Sequence, residues 1–143
     1  MMVAISISPQ HLQELENIAK ECHPTEACAL LEGKIITIND KSDDEKVCVL
    51  GILRMQNADE SIYSFRIDSI DLIRAYQEIG SRNREVVGIF HSHSSMAYPS
   101  LTDRKYMELN PVVWLIYSTL SHSFAAYMLD EIVMQIKLEY SLS

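Results

Sequence analysis

The chain has 143 residues, 48% of them hydrophobic and 22% charged, proportions that exclude a disordered or collagenous protein and fit one globular domain over 1–143 whose core needs no disulfide or metal staple. Twelve Lys and Arg against 20 Asp and Glu leave a net charge of −8, which argues against nucleic acid as a partner, since phosphate contact depends on clustered cations. Cys22, Cys28 and Cys48 form no CxxC pair, and neither a basic leader nor an apolar run of membrane-spanning length is present, so a reducing, cytoplasmic setting with no membrane partner is expected.

In chain order, a short alternating strand over Val3 to Ile7 leads into Ser8 and Pro9, an N-cap followed by proline at the first helical position. Leu12, Leu15, Ile18 and Ala19 then recur at helical spacing, and this helix is expected to end near His23-Pro24. The segments ACALLEGKIITI, broken at Gly33, and VCVLGILRM read as antiparallel strands joined by the polar turn NDKSDDEK. The polar stretch QNADES precedes a short strand expected at Ile62 to Phe65. Asp68 or Ser69 caps a second helix whose faces are marked by Ile70, Ile73, Tyr76 and Gln77, with Leu72 and Ile79 adding apolar area. EVVGIF is a compact apolar strand running into HSHSSMAYPSLTD; a brief helix from Thr102 to about Leu109 and three closing strands follow, at Val112 to Tyr117, Ser123 to Leu129 and Glu131 to Leu138. The expected fold class is α+β: a mixed, mostly antiparallel sheet flanked by two longer helices and one short helix.

Chemistry concentrates after the EVVGIF strand. His91 and His93 are two apart at a strand end, where side chains alternate, so both imidazoles leave one face and can meet a single ion. Asp103, in the first turn of the following helix, is near enough to offer a third ligand. Two neutral imidazoles and a carboxylate suit Zn²⁺, and three protein ligands leave a fourth position open, the mark of a catalytic site. Taken singly, each residue has an ordinary reading: a chance His-x-His, a first-turn carboxylate at a helix dipole, and Ser100 as its N-cap partner in a capping-box variant. The joint pattern, His-x-His followed by Pro-Ser-x-x-Asp directly after an apolar strand, is what raises them above that.

This pattern resembles the JAMM/MPN metalloprotease family, whose signature is an upstream glutamate, His-x-His, a short loop and Ser-x-x-Asp. HPTEACALLEG, from His23 to Gly33, is similar to the family's Pro-x-Glu-x-Cys segment and puts Glu26 in the glutamate's place. The order of elements agrees over essentially the whole chain, as one MPN-like domain of the bare prokaryotic, archaeal stand-alone type. The resemblance departs at Ser94, where the family usually has proline, and at Ala29, where glycine is common; neither change removes a reacting group. Cys28, beside Glu26, reads as a buried small hydrophobe rather than a nucleophile.

The resemblance implies His91, His93 and Asp103 as zinc ligands, Glu26 as general base and proton shuttle, and Ser100 as a donor toward the oxyanion. It further implies cleavage of isopeptide or peptide bonds after the terminal Gly-Gly of a ubiquitin-like or sulfur-carrier protein. The extended tail would pair with a sheet edge, for which residues 56 to 62 are the candidate. Self-association into a homodimer is left open. The runner-up is an MPN-type scaffold that binds a partner and holds zinc with little turnover, and a third reading is a zinc hydrolase of small amides; an intact Glu26 favours an enzyme.

Overall fold

The computed structural model describes residues 1–142. After β1 (Met2–Ile7), the Ser8 hydroxyl accepts the His11 amide at 3.1 Å and Pro9 fits the first turn, starting α1 (Pro9–Cys22). Leu12, Leu15, Ile18 and Ala19 form its buried stripe. The antiparallel pair β2 (Cys28–Thr37) and β3 (Glu45–Met55) slips register between Glu32 and Gly33. Glycine is required at that slip, because a Cβ on Gly33 would run into the Cys48 carbonyl oxygen.

Asp68 caps α2 (Ser69–Ser81), its carboxylate accepting from the Ile70 and Asp71 amides. α2 turns Ala75, Ile79 and the partly buried Leu72 inward, as expected for Leu72 and Ile79, whereas Ile70, Ile73 and Tyr76, expected to mark its faces, are exposed. Past its end, Arg82 and Arg84 both donate to the Glu32 carboxylate, with Arg84 Nη1 at 2.8 Å, tying the helix terminus to β2. The remaining elements are β4 (Glu85–His93), α3 (Leu101–Leu109), β5 (Val113–Ser118), β6 (Ser123–Asp130) and β7 (Ile132–Tyr140).

Two expectations are overturned. The sheet is not an open, mostly antiparallel layer flanked by helices: the strands close into a barrel in the order β1-β3-β2-β4-β5-β6-β7. The closing strand is β1, which pairs in parallel with β3 on one side and with β7 on the other, while β4 and β5 are also parallel. Parallel pairing between the two ends of a chain leaves no trace in local periodicity, which is why hairpin-by-hairpin reading favours an antiparallel layer. The expected strand at Ile62 to Phe65 is also absent. The Asn57 side chain instead brackets that segment, accepting from the Asp59 and Arg66 amides and donating to the Ser64 carbonyl.

Apolar side chains divide into two clusters. One gathers α1 against Ile5, Leu31, Val47, Phe90, Leu115 and Tyr117; the other gathers α2 and α3 against Leu30, Ile89, Trp114 and Ile116. β4 serves both, and its slip against β2 between Leu31↔Gly88 and Glu32↔Val86 lets Val87 join the first cluster and Ile89 the second. Beyond the slip alternation holds: Ile89, His91 and His93 share the face toward α3, and Phe90 and Ser92 take the other. Among the described residues no helix is long and apolar enough to cross a membrane.

Candidate metal centre

β4 runs through His93, so both histidines stand on regular, buried strand between β2 and β5, with Cys28 and Ile116 opposite His91 and Ser118 opposite His93. The third component arrives on α3. Ser100 is its N-cap, with Oγ accepting the Asp103 amide at 3.0 Å, and Asp103 returns a carboxylate oxygen to the Ser100 amide at 2.9 Å. This reciprocal pair fixes the Asp103 rotamer, and Oδ2 comes to 3.0 Å from Nε2 of both histidines. The two Nε2 atoms are 2.8 Å apart.

The loop between β4 and α3 orients His93. Its Nδ1 lies 3.2 Å from the Met96 carbonyl oxygen, which can only accept, so Nδ1 carries a proton there and Nε2 is the ring nitrogen that faces Asp103. Tyr127 holds the same loop by donating to the Ala97 carbonyl at 2.6 Å. Ser94, in the place where the family usually has proline, is exposed. His91 is walled by apolar rings, with Phe65 stacked at 4.7 Å and Trp114 edge-on at 5.6 Å.

Glu26 comes from the segment between α1 and β2 and is buried. Its Oε1 is 4.0 Å from His93 Nε2 and has no hydrogen-bond partner among the described residues. Ligand atoms of Glu26, His91, His93 and Asp103 all lie within 4.8 Å of one another. Burial pushes the Glu26 carboxyl up to about 8, partly opposed by His93. Burial alone would raise Asp103, but hydrogen bonds from His91 and His93 outweigh it and hold that carboxyl far below the usual range. Burial lowers His91 despite Asp103; in His93 burial is outweighed by the Asp103 hydrogen bond and charge, and the imidazole is raised.

Two imidazole Nε2 atoms and a carboxylate oxygen converge in a buried space beside the Glu26 Oε1 that has no donor, a set of atoms a single cation could satisfy. The four residues could hold a metal. Cys28 contributes none of this chemistry: it is buried, and burial pushes its thiol up to about 12.

Residues 8–130 match the family described as prokaryotic homologs of the JAB domain. The chain belongs to this family. It is 31% identical over 126 residues to a desampylase from Pyrococcus furiosus, covering 87% of this chain and 81% of the relative. It is also 30% identical over 102 residues to a CysO-cysteine peptidase from Mycobacterium tuberculosis, covering 71% of this chain and 64% of the peptidase. A solution structure from Desulfitobacterium hafniense shares the fold with a TM-score of 0.80 at 23% identity, over 97% of this chain and 94% of that one. Another from Salinibacter ruber aligns with a TM-score of 0.65 at 22% identity, over 96% and 92% of the two chains.

All five residues singled out in the sequence, Glu26, His91, His93, Ser100 and Asp103, therefore stand in one region of this prokaryotic JAB domain. Three that organise the region were passed over: Phe65 against His91, Ser92 bonded to the Ala27 amide, and Asn57 bonded to the Glu26 carbonyl. The strict alternation of HSH marks Ser92 as facing away from its neighbours, and an asparagine ahead of a loop carries a weaker signal. Residues 56 to 62, expected to offer a sheet edge, are irregular, and the Ser61 carbonyl is already taken by the Glu26 amide at 2.8 Å.

Proposed function

We propose that this chain is a zinc-dependent hydrolase that cuts the peptide or isopeptide bond following the terminal Gly-Gly of a ubiquitin-like or sulfur-carrier protein. The observation carrying this reading is the buried meeting of Glu26 with His91, His93 and Asp103. The desampylase and CysO-cysteine peptidase among its relatives support the substrate class.

His91, His93 and Asp103 would hold the ion, two imidazoles and a carboxylate being a set that suits zinc and leaves a position open. When bound, Zn²⁺ supplies Lewis acidity for the scissile carbonyl and makes water acidic enough to attack near neutral pH. The proton traffic falls to Glu26, whose unpartnered Oε1 takes a proton from the attacking water and delivers it to the leaving nitrogen. Its raised affinity for a proton suits the second half of that task, and a neighbouring cation would restore its readiness for the first. Because the Ser100 oxygen is occupied as an acceptor from the Asp103 amide, its hydroxyl hydrogen is free to donate to the developing oxyanion. A groove of about 580 Å³ borders Glu26 along Ala27, Met55, Gln56 and Asn57, offering room for an extended chain beside the carboxylate.

The test pairs metal analysis with cleavage of two linear fusions, one through a Gly-Gly tail and one through Ala-Leu. About one zinc per chain, chelator-sensitive turnover and a requirement for Gly-Gly are expected. Zinc without turnover favours the partner-binding scaffold, and equal cleavage of both fusions favours a general peptidase.

A further inference from the structure

We propose that Asn57 is a positioning residue for Glu26: its carboxamide keys the loop of residues 57–66 onto the main chain of Glu26 and thereby sets where that carboxylate stands beside His93. The inference rests on the reading of Glu26 as the base and adds a residue to which neither the motif nor the metal cluster points.

Asn57 is 9% exposed, and burying a carboxamide is costly unless its hydrogen bonds are made. All four are made. Nδ2 donates to the carbonyls of Glu26 and Ser64, both at 3.0 Å. Oδ1 accepts from the Asp59 amide at 3.0 Å and the Arg66 amide at 3.1 Å. The loop is closed further by the Ala58 amide donating to the Arg66 carbonyl at 2.7 Å, and its Ser61 carbonyl accepts the Glu26 amide at 2.8 Å. Both main-chain polar groups of Glu26 are thus satisfied by the loop that Asn57 organises. Such a fully used amide at the foot of an irregular loop defines one conformation where a ladder is absent.

The metal-ligating candidates depend on other connections. His91 and His93 belong to the barrel ladder of β4, and Asp103 to the capping box of α3. Loop 57–66 meets them through Phe65, whose ring stacks on His91 and packs on Tyr106 of α3, and neither contact involves the Asn57 carboxamide. Disturbing Asn57 should therefore displace the base and spare the ligands, a separation that general loss of structure would not produce.

The test uses Asn57→Ala in the full chain, with Asn57→Asp as a second variant that keeps the two acceptor bonds and loses both donor bonds; it carries the same test if the alanine variant does not fold. In metal-free protein, hydrogen exchange should show the Glu26 amide losing protection while the Phe90 amide in the barrel keeps it. Phe65→Leu, which removes the ring but not the Asn57 bonds, should leave the Glu26 amide protected. Zinc stoichiometry should match wild type in both Asn57 variants. On the Gly-Gly fusion, kcat should fall about tenfold or more with KM changed less than about twofold, and adding Asn57→Ala to Glu26→Gln should cost nothing further. Unchanged protection of the Glu26 amide, wild-type kcat, or a full additional loss on top of Glu26→Gln would each overturn the inference. A wild-type protein that holds zinc yet cleaves no Gly-Gly fusion sinks the proposed function instead, and amide exchange then decides the positioning role alone.

Discussion

The Ser92 hydroxyl oxygen lies 2.9 Å from the Ala27 amide nitrogen, across 65 positions of sequence. The residue between the two histidines thus holds the residue that follows the candidate base, and the Ser92 amide returns a bond to the Ala27 carbonyl at 3.1 Å. Ser92→Ala leaves a buried N–H without a partner, so unfolding free energy should drop by about 1–3 kcal/mol. Denaturant unfolding of the metal-free protein measures it; an unchanged midpoint and slope would show that the bond contributes nothing.

Glu32 is a second buried anchor, with a carboxylate 4% exposed between Arg82 and Arg84. The Arg82 hydrogen bond, the largest influence, and that of Arg84 lower its pKa below the ordinary 4.5 despite burial. A depressed folded-state pKa stabilises above the unfolded value, and the gain disappears as pH falls through the folded one. Glu32→Gln should therefore cost about 1–3 kcal/mol near neutral pH. The gap between wild type and variant should narrow as pH falls below 4.5 and the wild-type carboxylate takes up its proton. Urea unfolding across that range checks it, and a gap independent of pH would contradict the assignment.

Much of the site was legible because its signals are local. Alternation along a strand suffices to bring His91 and His93 to one face, and three-residue spacing suffices to reveal the Ser100–Asp103 reciprocal pair. What local pattern could not reveal is pairing between distant segments. β1 reads as a short alternating strand either way, and nothing in Val3 to Ile7 announces parallel partners at both edges of a closed barrel. In α2 the periodicity put Ile70, Ile73, Tyr76 and Gln77 on its faces and Leu72 and Ile79 as added apolar area, and tertiary contact selects Leu72 and Ile79 with Ala75. Residues 62 to 65 carry strand-like composition but form no strand, and the Ser64 carbonyl and Arg66 amide bond the Asn57 side chain.

Ser100 has two tasks, which separate in measurement. As N-cap of α3 it should cost about 1 kcal/mol of stability on replacement by alanine. As a donor to the oxyanion it should lower kcat more than it changes KM, with zinc content unaffected. Loss of stability with kcat intact would leave Ser100 as a cap alone.

His91→Ala and His93→Ala should abolish stoichiometric zinc binding while far-UV circular dichroism still reports the folded barrel. Both apolar clusters are assembled from elements beyond the histidines, and the metal is not needed to hold them. Zinc retained at one per chain in the double variant would remove these residues from the ligand set, and outright unfolding would make the metal structural.

The most direct measurement of the central claim is turnover of Glu26→Gln at full zinc occupancy, with the Gly-Gly fusion as substrate. Glutamine keeps the size of the side chain and cannot take up the proton, while His91, His93 and Asp103 remain as they are. The account predicts unchanged zinc and substrate binding with kcat reduced roughly 10²-fold or more. Near wild-type turnover with zinc in place would show that Glu26 is not the base and would contradict the account.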